Sequence, residues 1–171
     1  MEKCDAETKP VANAVHDRHR GLVQEVPGAL QTQLEIVLRR RAPQVLPEQT
    51  LELPARACGC SFCTKHGGIW TSHPAARLML RIADPAKATR YRFGTSTADF
   101  HVCRACGAVP AVTCALEDRT YAVVNVNCLD GVDPATLDRV ATDFEGEATA
   151  DRLARRRTRW IAEVAIEAGP D

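Results

Sequence analysis

Apolar and polar residues alternate through several short segments of the chain, and this period of two predicts β-strands that each bury one face. The segments are rich in β-branched and aromatic residues, and turn-forming spacers such as IADPAK separate them. The pattern therefore predicts a mainly β domain with antiparallel strands. The expected strands are LQTQLEIVL (30–38), TLELPARA (50–57), ARLMLRI (76–82), ATRYRFG (88–94), DFHVC (99–103), AVPAVTCAL (108–116) and TYAVVNVNC (120–128).

The last part of the chain has a different pattern. The segment PATLDRVA (134–141) predicts a short helix after a turn. The segment EATADRLARRRTRWIAEVAIEA (147–168) predicts a C-terminal amphipathic helix, because its apolar residues recur at helical spacing. The apolar residues with that spacing are Leu153, Trp160, Ile161 and Val164.

These patterns divide the chain into three parts. Residues 1–26 show no clear apolar period and end before Pro27 and Gly28, so we expect an N-terminal arm there. Residues 27–146 form the β domain, and 147–171 form the helix packed on or beside it. A chain of 171 residues is long enough for one domain with its own core.

Composition narrows the classes of function. The 22 basic and 22 acidic residues cancel, which argues against a general binder of nucleic acid or anionic membranes. The chain has no apolar run of 18 residues and opens with the charged segment MEKCDAETKP, so we expect a soluble, cytoplasmic protein without a membrane partner. In that reducing compartment, clustered cysteines indicate metal binding or catalysis rather than disulfides. The sequence does not predict an oligomeric state.

The segment CGCSFC (58–63) carries the clearest chemical signal. Cys58, Cys60 and Cys63 can converge on one zinc ion, because a tight turn brings several sulfur atoms around one point. Three protein ligands leave a fourth position open, as in catalytic sites. Three thiolates around Zn²⁺ leave a net charge of about −1, which favours an external thiol over a hydroxide as the fourth ligand.

A second pair of cysteines follows in HVCRACG, where Gly107 permits a sharp reversal of the chain. Cys103 and Cys106 are the predicted ligands of a second metal site. Two other interpretations stay open for the cysteines. One is a redox pair at Cys60 and Cys63, although the βαβ setting of such pairs is missing, and the other is a single structural site that uses both clusters.

The order CGCSFCTKHGG, ATRYRFGTSTADFHVCRACG and TYAVVNVNCLDGVDP resembles the glutathione-dependent formaldehyde-activating family, which includes centromere protein V. The resemblance covers about residues 28–146 and implies a β-tent zinc fold. It also implies an activity-related zinc at the CxCxxC of residues 58–63 and a structural zinc shared by an early CxC and the later CxxC. The early motif should fall at GALQTQ (28–33), where Leu30 and Thr32 replace its cysteines. Cys103 and Cys106 therefore lack two ligands, so that we expect an empty site or one completed by His101 or another cysteine.

The resemblance also implies a reaction, with zinc as cofactor and glutathione as co-substrate. A thiol, expected to be glutathione, adds to formaldehyde or a related aldehyde, and the protein is expected to be a carbon–sulfur lyase that forms or cleaves the S-hydroxymethyl adduct. His66 is the candidate proton donor, with a surface histidine or a fourth zinc ligand as alternatives. Lys65 is the candidate contact for a glutathione carboxylate, with a solvated lysine as the alternative.

Two further features bear on function. The arginines between Arg152 and Arg159 are interpreted as a solvated helix face rather than a nucleic-acid surface, because the net charge is zero. The missing early CxC supports a second candidate function, a noncatalytic zinc-binding module that has lost the structural zinc.

Overall fold

The computed structural model describes residues 24–25, 34–40, 54–129 and 137–169 of the chain. Within these ranges the protein is mainly β and mostly antiparallel, as the sequence predicts. The strands are β1 (Gln24–Glu25), β2 (Leu34–Arg40), β3 (Ala55–Cys58), β4 (Ile69–Thr71), β5 (Ala76–Ile82), β6 (Ala88–Tyr91), β7 (Asp99–Cys103), β8 (Ala111–Leu116), β9 (Arg119–Asn125), β10 (Arg139–Thr142) and β11 (Glu163–Ala168). The helices are α1 (Ser61–His66) and α2 (Thr149–Arg159), with single 3₁₀ turns at Pro85–Lys87 and Val126–Cys128.

The described strands form two sheets. One has the order β1-β2-β5-β11, and the other has the order β10-β3-β4-β9-β8-β7-β6. Antiparallel pairing prevails because short turns join neighbouring strands, whereas β10 pairs with β3 and β11 pairs with β5 in parallel. The larger sheet contains Cys58, Cys103 and Cys114.

The core lies on both faces of the larger sheet. Along β8 and β9, successive side chains are buried, because alternate residues enter two separate apolar clusters. Ala111 and Val124 pack with Leu78 and Leu80 of the smaller sheet. On the opposite face, the second cluster contains Val112, Val123, Tyr121, Trp70, Trp160 and Phe62.

Most predicted strands are confirmed, with shifted ends. The strands predicted over 76–82 and 99–103 match β5 and β7. Those predicted over 88–94 and 108–116 contain all of β6 and β8 but are longer, and the one over 120–128 covers all of β9 except Arg119. Residues 34–38 and 55–57 of the other two predicted strands lie in β2 and β3. Residues 30–33, 50–53 and most of the N-terminal arm lie outside the described residues.

Two helix predictions need correction. The helix predicted over 147–168 is confirmed for Thr149–Arg159 but is wrong for 163–168, which form β11 along the edge of β5. Glu163 pairs with Arg77 at 2.8 Å and Glu167 with Arg81 at 3.2 Å, so that two carboxylates of β11 lie opposite two guanidinium groups of β5. The helix predicted over 134–141 is also wrong for 139–141, because these residues belong to β10 and pair with β3.

Candidate metal centre and the adjoining cavity

Three sulfur atoms come together where β3 leads into α1. The Sγ atoms of Cys58, Cys60 and Cys63 all lie within 4.8 Å of one another, and they form the one such group of three candidate ligands found among the described residues. Tetrahedral zinc with Zn–S bonds of about 2.3 Å requires sulfur atoms about 3.8 Å apart. The three sulfurs could hold a metal ion, and soft thiolates are ligands that zinc prefers.

The loop is held by local hydrogen bonds. Cys60 caps the N-terminus of α1, where its Sγ accepts the backbone N–H of Cys63 at 3.5 Å. Gly67 follows the last helical residue and caps the C-terminus of α1, with a φ of +60° in the left-handed region. After this turn, the backbone N–H of Gly68 donates to the carbonyl of Cys63 at 2.8 Å. The six residues of α1 thus place Cys63 opposite the end of β3.

Side chains from β4, β9 and the 3₁₀ turn that follows β9 hold this loop in position. The indole N–H of Trp70 donates to Cys63 Sγ at 3.2 Å. Buried Asn125 accepts the backbone N–H of Ile69 at 3.4 Å, and the Asn127 side chain donates to the carbonyl of Gly67 at 2.6 Å. These hydrogen bonds give both asparagines a positioning role.

The thiols of Cys58 and Cys63 differ in proton affinity. A hydrogen bond from the Cys63 thiol is the main cause that lowers the pKa of Cys58 to about 6. The same hydrogen bond and burial raise the pKa of Cys63 far above its usual range. The thiolate of Cys58 therefore forms readily, whereas deprotonation of Cys63 needs an added positive charge at the site. A divalent cation supplies such a charge.

A cavity of about 370 Å³ opens beside the cysteines. Its size and mixed lining are typical of small-molecule sites. All three cysteines line it, together with the ring-bearing residues Trp70, Phe93, Phe100, Phe144 and Trp160. Four arginines complete the polar part of the wall, namely Arg56, Arg152, Arg155 and Arg156.

These arginines change the interpretation of α2. Arg152, Arg155 and Arg156 lie on one side of the helix and line the cavity, so the predicted solvated face is wrong for them. Arg156 is only 7 % exposed and donates to Thr97 and to Cys114 Sγ. Their spacing of three and four residues indicates in the sequence that they share one side of the helix. The zero net charge of the whole chain nevertheless led to the prediction of a solvated face.

The structure places the two other predicted site residues away from the cavity. His66 is exposed at the end of α1, where its ring stacks on Phe62 at 4.1 Å and its Nδ1 lies 2.9 Å from the Phe62 carbonyl. Lys65 is exposed on the same turn. Neither residue lines the cavity, so neither role gains support, and both stay predictions.

The second predicted metal site lies on the other side of the sheet. Cys103 is buried in the cluster with Leu78 and Leu80, whereas Cys106 is exposed in the turn ending at Gly107. Among the described residues no third candidate ligand joins this pair. His101 Nε2 lies 2.8 Å from Thr113 Oγ1, so its ring is engaged elsewhere. Leu30 and Thr32 lie outside the described residues.

No protein-family model matches this chain, and no curated protein matches it either. One solved structure is similar, the crystal structure of a Rhodobacter sphaeroides protein determined as a Northeast Structural Genomics target. It is 27 % identical over 62 % of this chain and 90 % of that chain, with a TM-score of 0.40.

No helix within the described ranges combines the length and the apolar character needed to cross a bilayer.

Proposed function

We propose that the protein is a zinc-dependent carbon–sulfur lyase that forms or cleaves the S-hydroxymethyl adduct of a thiol, with glutathione and a formaldehyde-like aldehyde as its substrates. One observation carries this proposal, namely that three sulfurs from one short loop converge on the wall of a substrate-sized cavity. The resemblance to the formaldehyde-activating family is consistent with it. A cytoplasmic location also belongs to this proposal.

Zinc, when held by Cys58, Cys60 and Cys63, supplies the positive charge that stabilises an external thiol as its thiolate. In the synthetic direction, the thiol sulfur donates an electron pair to the aldehyde carbon and a carbon–sulfur bond forms. The carbonyl π electrons move to oxygen, which takes up a proton equivalent to the one the thiol released. No oxidant or reductant is needed, and the reverse reaction regenerates thiol and aldehyde.

The chain's own groups prepare the cavity for this reaction. Trp70 directs its N–H to Cys63 Sγ and so fixes the orientation of that ligand. The rings of Phe93 and Phe100 restrict water on the apolar side of the cavity. The described lining contains no histidine, so we assign proton delivery to water rather than to His66.

The test compares two cysteine variants of the purified protein. We expect about one zinc per chain in the wild type, none in Cys60→Ser, and about one in Cys106→Ser, because exposed Cys106 has no part in the trio. Exchange of formaldehyde between free and glutathione-bound forms is then measured by NMR at equilibrium. Wild type and Cys106→Ser should accelerate exchange above the spontaneous rate, whereas Cys60→Ser should not.

The alternative function is a noncatalytic zinc-binding module. The pair Cys103 and Cys106, with no third ligand among the described residues, favours it, because such a pair is expected in a chain that has lost a site. Wild-type protein that holds zinc but leaves the exchange rate at its spontaneous value would support the module and contradict the enzyme.

A further inference from the structure

The polar wall of the cavity has an excess of positive charge. Arg56, Arg152, Arg155 and Arg156 line it, and the nearby carboxylates belong to Asp143, whose charge opposes ionisation of Cys58, to Glu145 in the wall and to Glu147 beside it. Glu147 receives two hydrogen bonds of 2.8 Å from Arg155 and lies 3.6 Å from Arg152 Nε. Four arginines against three carboxylates leave one positive charge in a partly enclosed space.

Arg56 is the clearest case of a cation held without a carboxylate. Its guanidinium donates to Ser72 Oγ, and Ser72 in turn donates to the carbonyl of Arg159 at 2.9 Å. Within the described chain, no carboxylate pairs with Arg56. Arg56 and Cys58 are two residues apart on β3 and both line the cavity, so this charge lies on the same side of the strand as a predicted zinc ligand.

Arg156 adds a second, independent observation. Only 7 % of the residue is exposed. Its Nη1 donates hydrogen bonds to Thr97 and Cys114, whereas its buried Nε has no hydrogen-bond partner among the described residues. A buried guanidinium N–H without a partner costs free energy unless a ligand completes it. Arg56 and Arg156 therefore keep donor capacity for an acceptor that the described chain does not supply, whereas Glu147 already engages two N–H groups of Arg155.

Guanidinium groups bind carboxylates through paired, charge-assisted hydrogen bonds, and their strength rises where water is restricted. The apolar rings on the remaining wall can pack against the body of the same ligand. We propose that Arg56 and Arg155, supported by Arg152 and Arg156, form an anion subsite that binds a carboxylate of the thiol substrate. This inference rests on the proposed function for the thiol, whereas the anion subsite rests on the arginines alone.

A ligand without a free thiol separates the two claims. S-Methylglutathione keeps both carboxylates but cannot present a sulfur as thiolate, and its diester also lacks the negative charges. We expect isothermal titration calorimetry to show binding of S-methylglutathione to the wild type and, with similar affinity, to zinc-free Cys60→Ser. The diester should bind at least about tenfold more weakly, and salt should weaken only the diacid.

Two charge-removing variants locate the subsite. Arg56→Met and Arg155→Met keep an apolar stem of similar length, and each should raise the Kd for S-methylglutathione about tenfold or more. Arg119→Met is the matched control, because Arg119 is exposed at the start of β9 and does not line the cavity, and its Kd should be unchanged. Circular dichroism verifies that each variant is folded.

The outcomes distinguish the two proposals. Equal affinity for diacid and diester, no binding of the diacid to the wild type, or unchanged binding in both folded arginine variants would overturn the anion subsite. If zinc and aldehyde exchange were present in any of those cases, the proposed function would stand without it. If the diacid bound through Arg56 and Arg155 but no zinc were found, the subsite would stand and the proposed reaction would fall.

Discussion

At the scale of single residues, Gly68 controls how closely the metal loop, defined here as residues 58–68 with the three cysteines, packs on the sheet. A Cβ added at this position would lie 2.9 Å from both Cys63 Cβ and Trp70 Nε1 and 3.0 Å from Cys63 Sγ. Such contacts are closer than packed side chains tolerate, so a side chain here must displace one of the groups that build the site. Gly59 in the same loop meets only the Thr142 carbonyl at 3.7 Å.

Gly68→Ala should therefore weaken the site while Gly59→Ala should not. We expect Gly68→Ala to raise the Kd for zinc about 10- to 100-fold, since displaced supporting groups misplace the ligand. Its free energy of unfolding should fall by about 1–3 kcal/mol from overpacking. Competition with a chromophoric zinc chelator measures the Kd, and equal zinc affinity in the two alanine variants would contradict the role of Gly68.

His101 predicts a pH dependence of stability. Burial is the main cause that lowers its pKa in the folded chain, with a smaller lowering from Arg90 and an opposing effect from Asp99. Below about pH 6.5, the unfolded chain binds a proton at this histidine more readily than the folded chain does. Stability should thus be full above that pH and decline by up to about 1.4 kcal/mol per pH unit as pH falls towards the folded pKa.

Urea unfolding between pH 7.5 and 5 measures this decline. His101→Gln should flatten the profile because it removes the titrating group, whereas His73→Gln should keep the wild-type slope because His73 is exposed. A wild-type slope in His101→Gln would assign the pH dependence to other groups.

At the scale of elements, the end of β9 connects the sheet to the metal loop through Asn125. Besides the Ile69 N–H, its side chain accepts the N–H of Asn127 at 3.2 Å and donates to the carbonyl of Val109 at 3.2 Å. Asn125 is only 2 % exposed, so water cannot readily replace these bonds.

Asn125→Ala should lower the free energy of unfolding by at least about 2 kcal/mol, because it leaves several buried backbone groups without partners. Thr120→Ala near the start of β9 is the control and should cost about 0.5 kcal/mol or less. Urea titration measures both. A cost for Asn125→Ala as small as that of the control would show that β4 and the metal loop hold their positions without this side chain.

Element types could be predicted from sequence where one face of a strand is buried and the other is not. ARLMLRI shows this in β5, whose Leu78 and Leu80 are buried while Arg77 and Arg81 are exposed. EVAIEA in β11 was predicted as helix because alanine and glutamate favour helices and because it follows a true helix. Its strand conformation depends on the edge of β5, more than 80 residues earlier, and a local pattern does not contain that pairing.

The site shows the same division between local and distant signals. The cysteine trio was predictable because all three ligands lie within six residues. The four arginines that line the cavity could not be predicted as a group, since Arg56 and the arginines of α2 come together only in the folded chain. Predicted roles for His66 and Lys65 followed sequence proximity to Cys63, but a short helix carries both residues away from the cavity.

At the scale of the whole molecule, the core and the metal loop make separate contributions to stability. One apolar cluster joins the two sheets around Leu80, Val124 and Ile161, and it contains none of the three cysteines of the candidate metal site. Removal of a metal ion from that site should therefore leave this cluster intact. The contribution of zinc to stability should follow its occupancy of the folded state.

Chelation should lower the thermal midpoint without unfolding the protein at 25 °C. At a free zinc concentration 1,000 times its Kd, binding stabilises the folded chain by about 4 kcal/mol, and removal of zinc should reverse that gain. Far-UV circular dichroism should be nearly unchanged on chelation, and Cys60→Ser should show no shift in midpoint. Loss of the β spectrum at 25 °C would mean that the fold depends on the metal.

The placement of α2 along the cavity has a consequence for protein engineering. The boundary expected between residues 146 and 147 passes through the binding site, because Phe144 and Gly146 precede it while Arg152, Arg155 and Trp160 follow it. A fragment that stopped at this boundary would retain the thiol trio but lose most of the guanidinium groups that surround the ligand space. Minimised versions or fusion designs should therefore keep the chain at least through Trp160 and the bridge between Ile161 and Ala122.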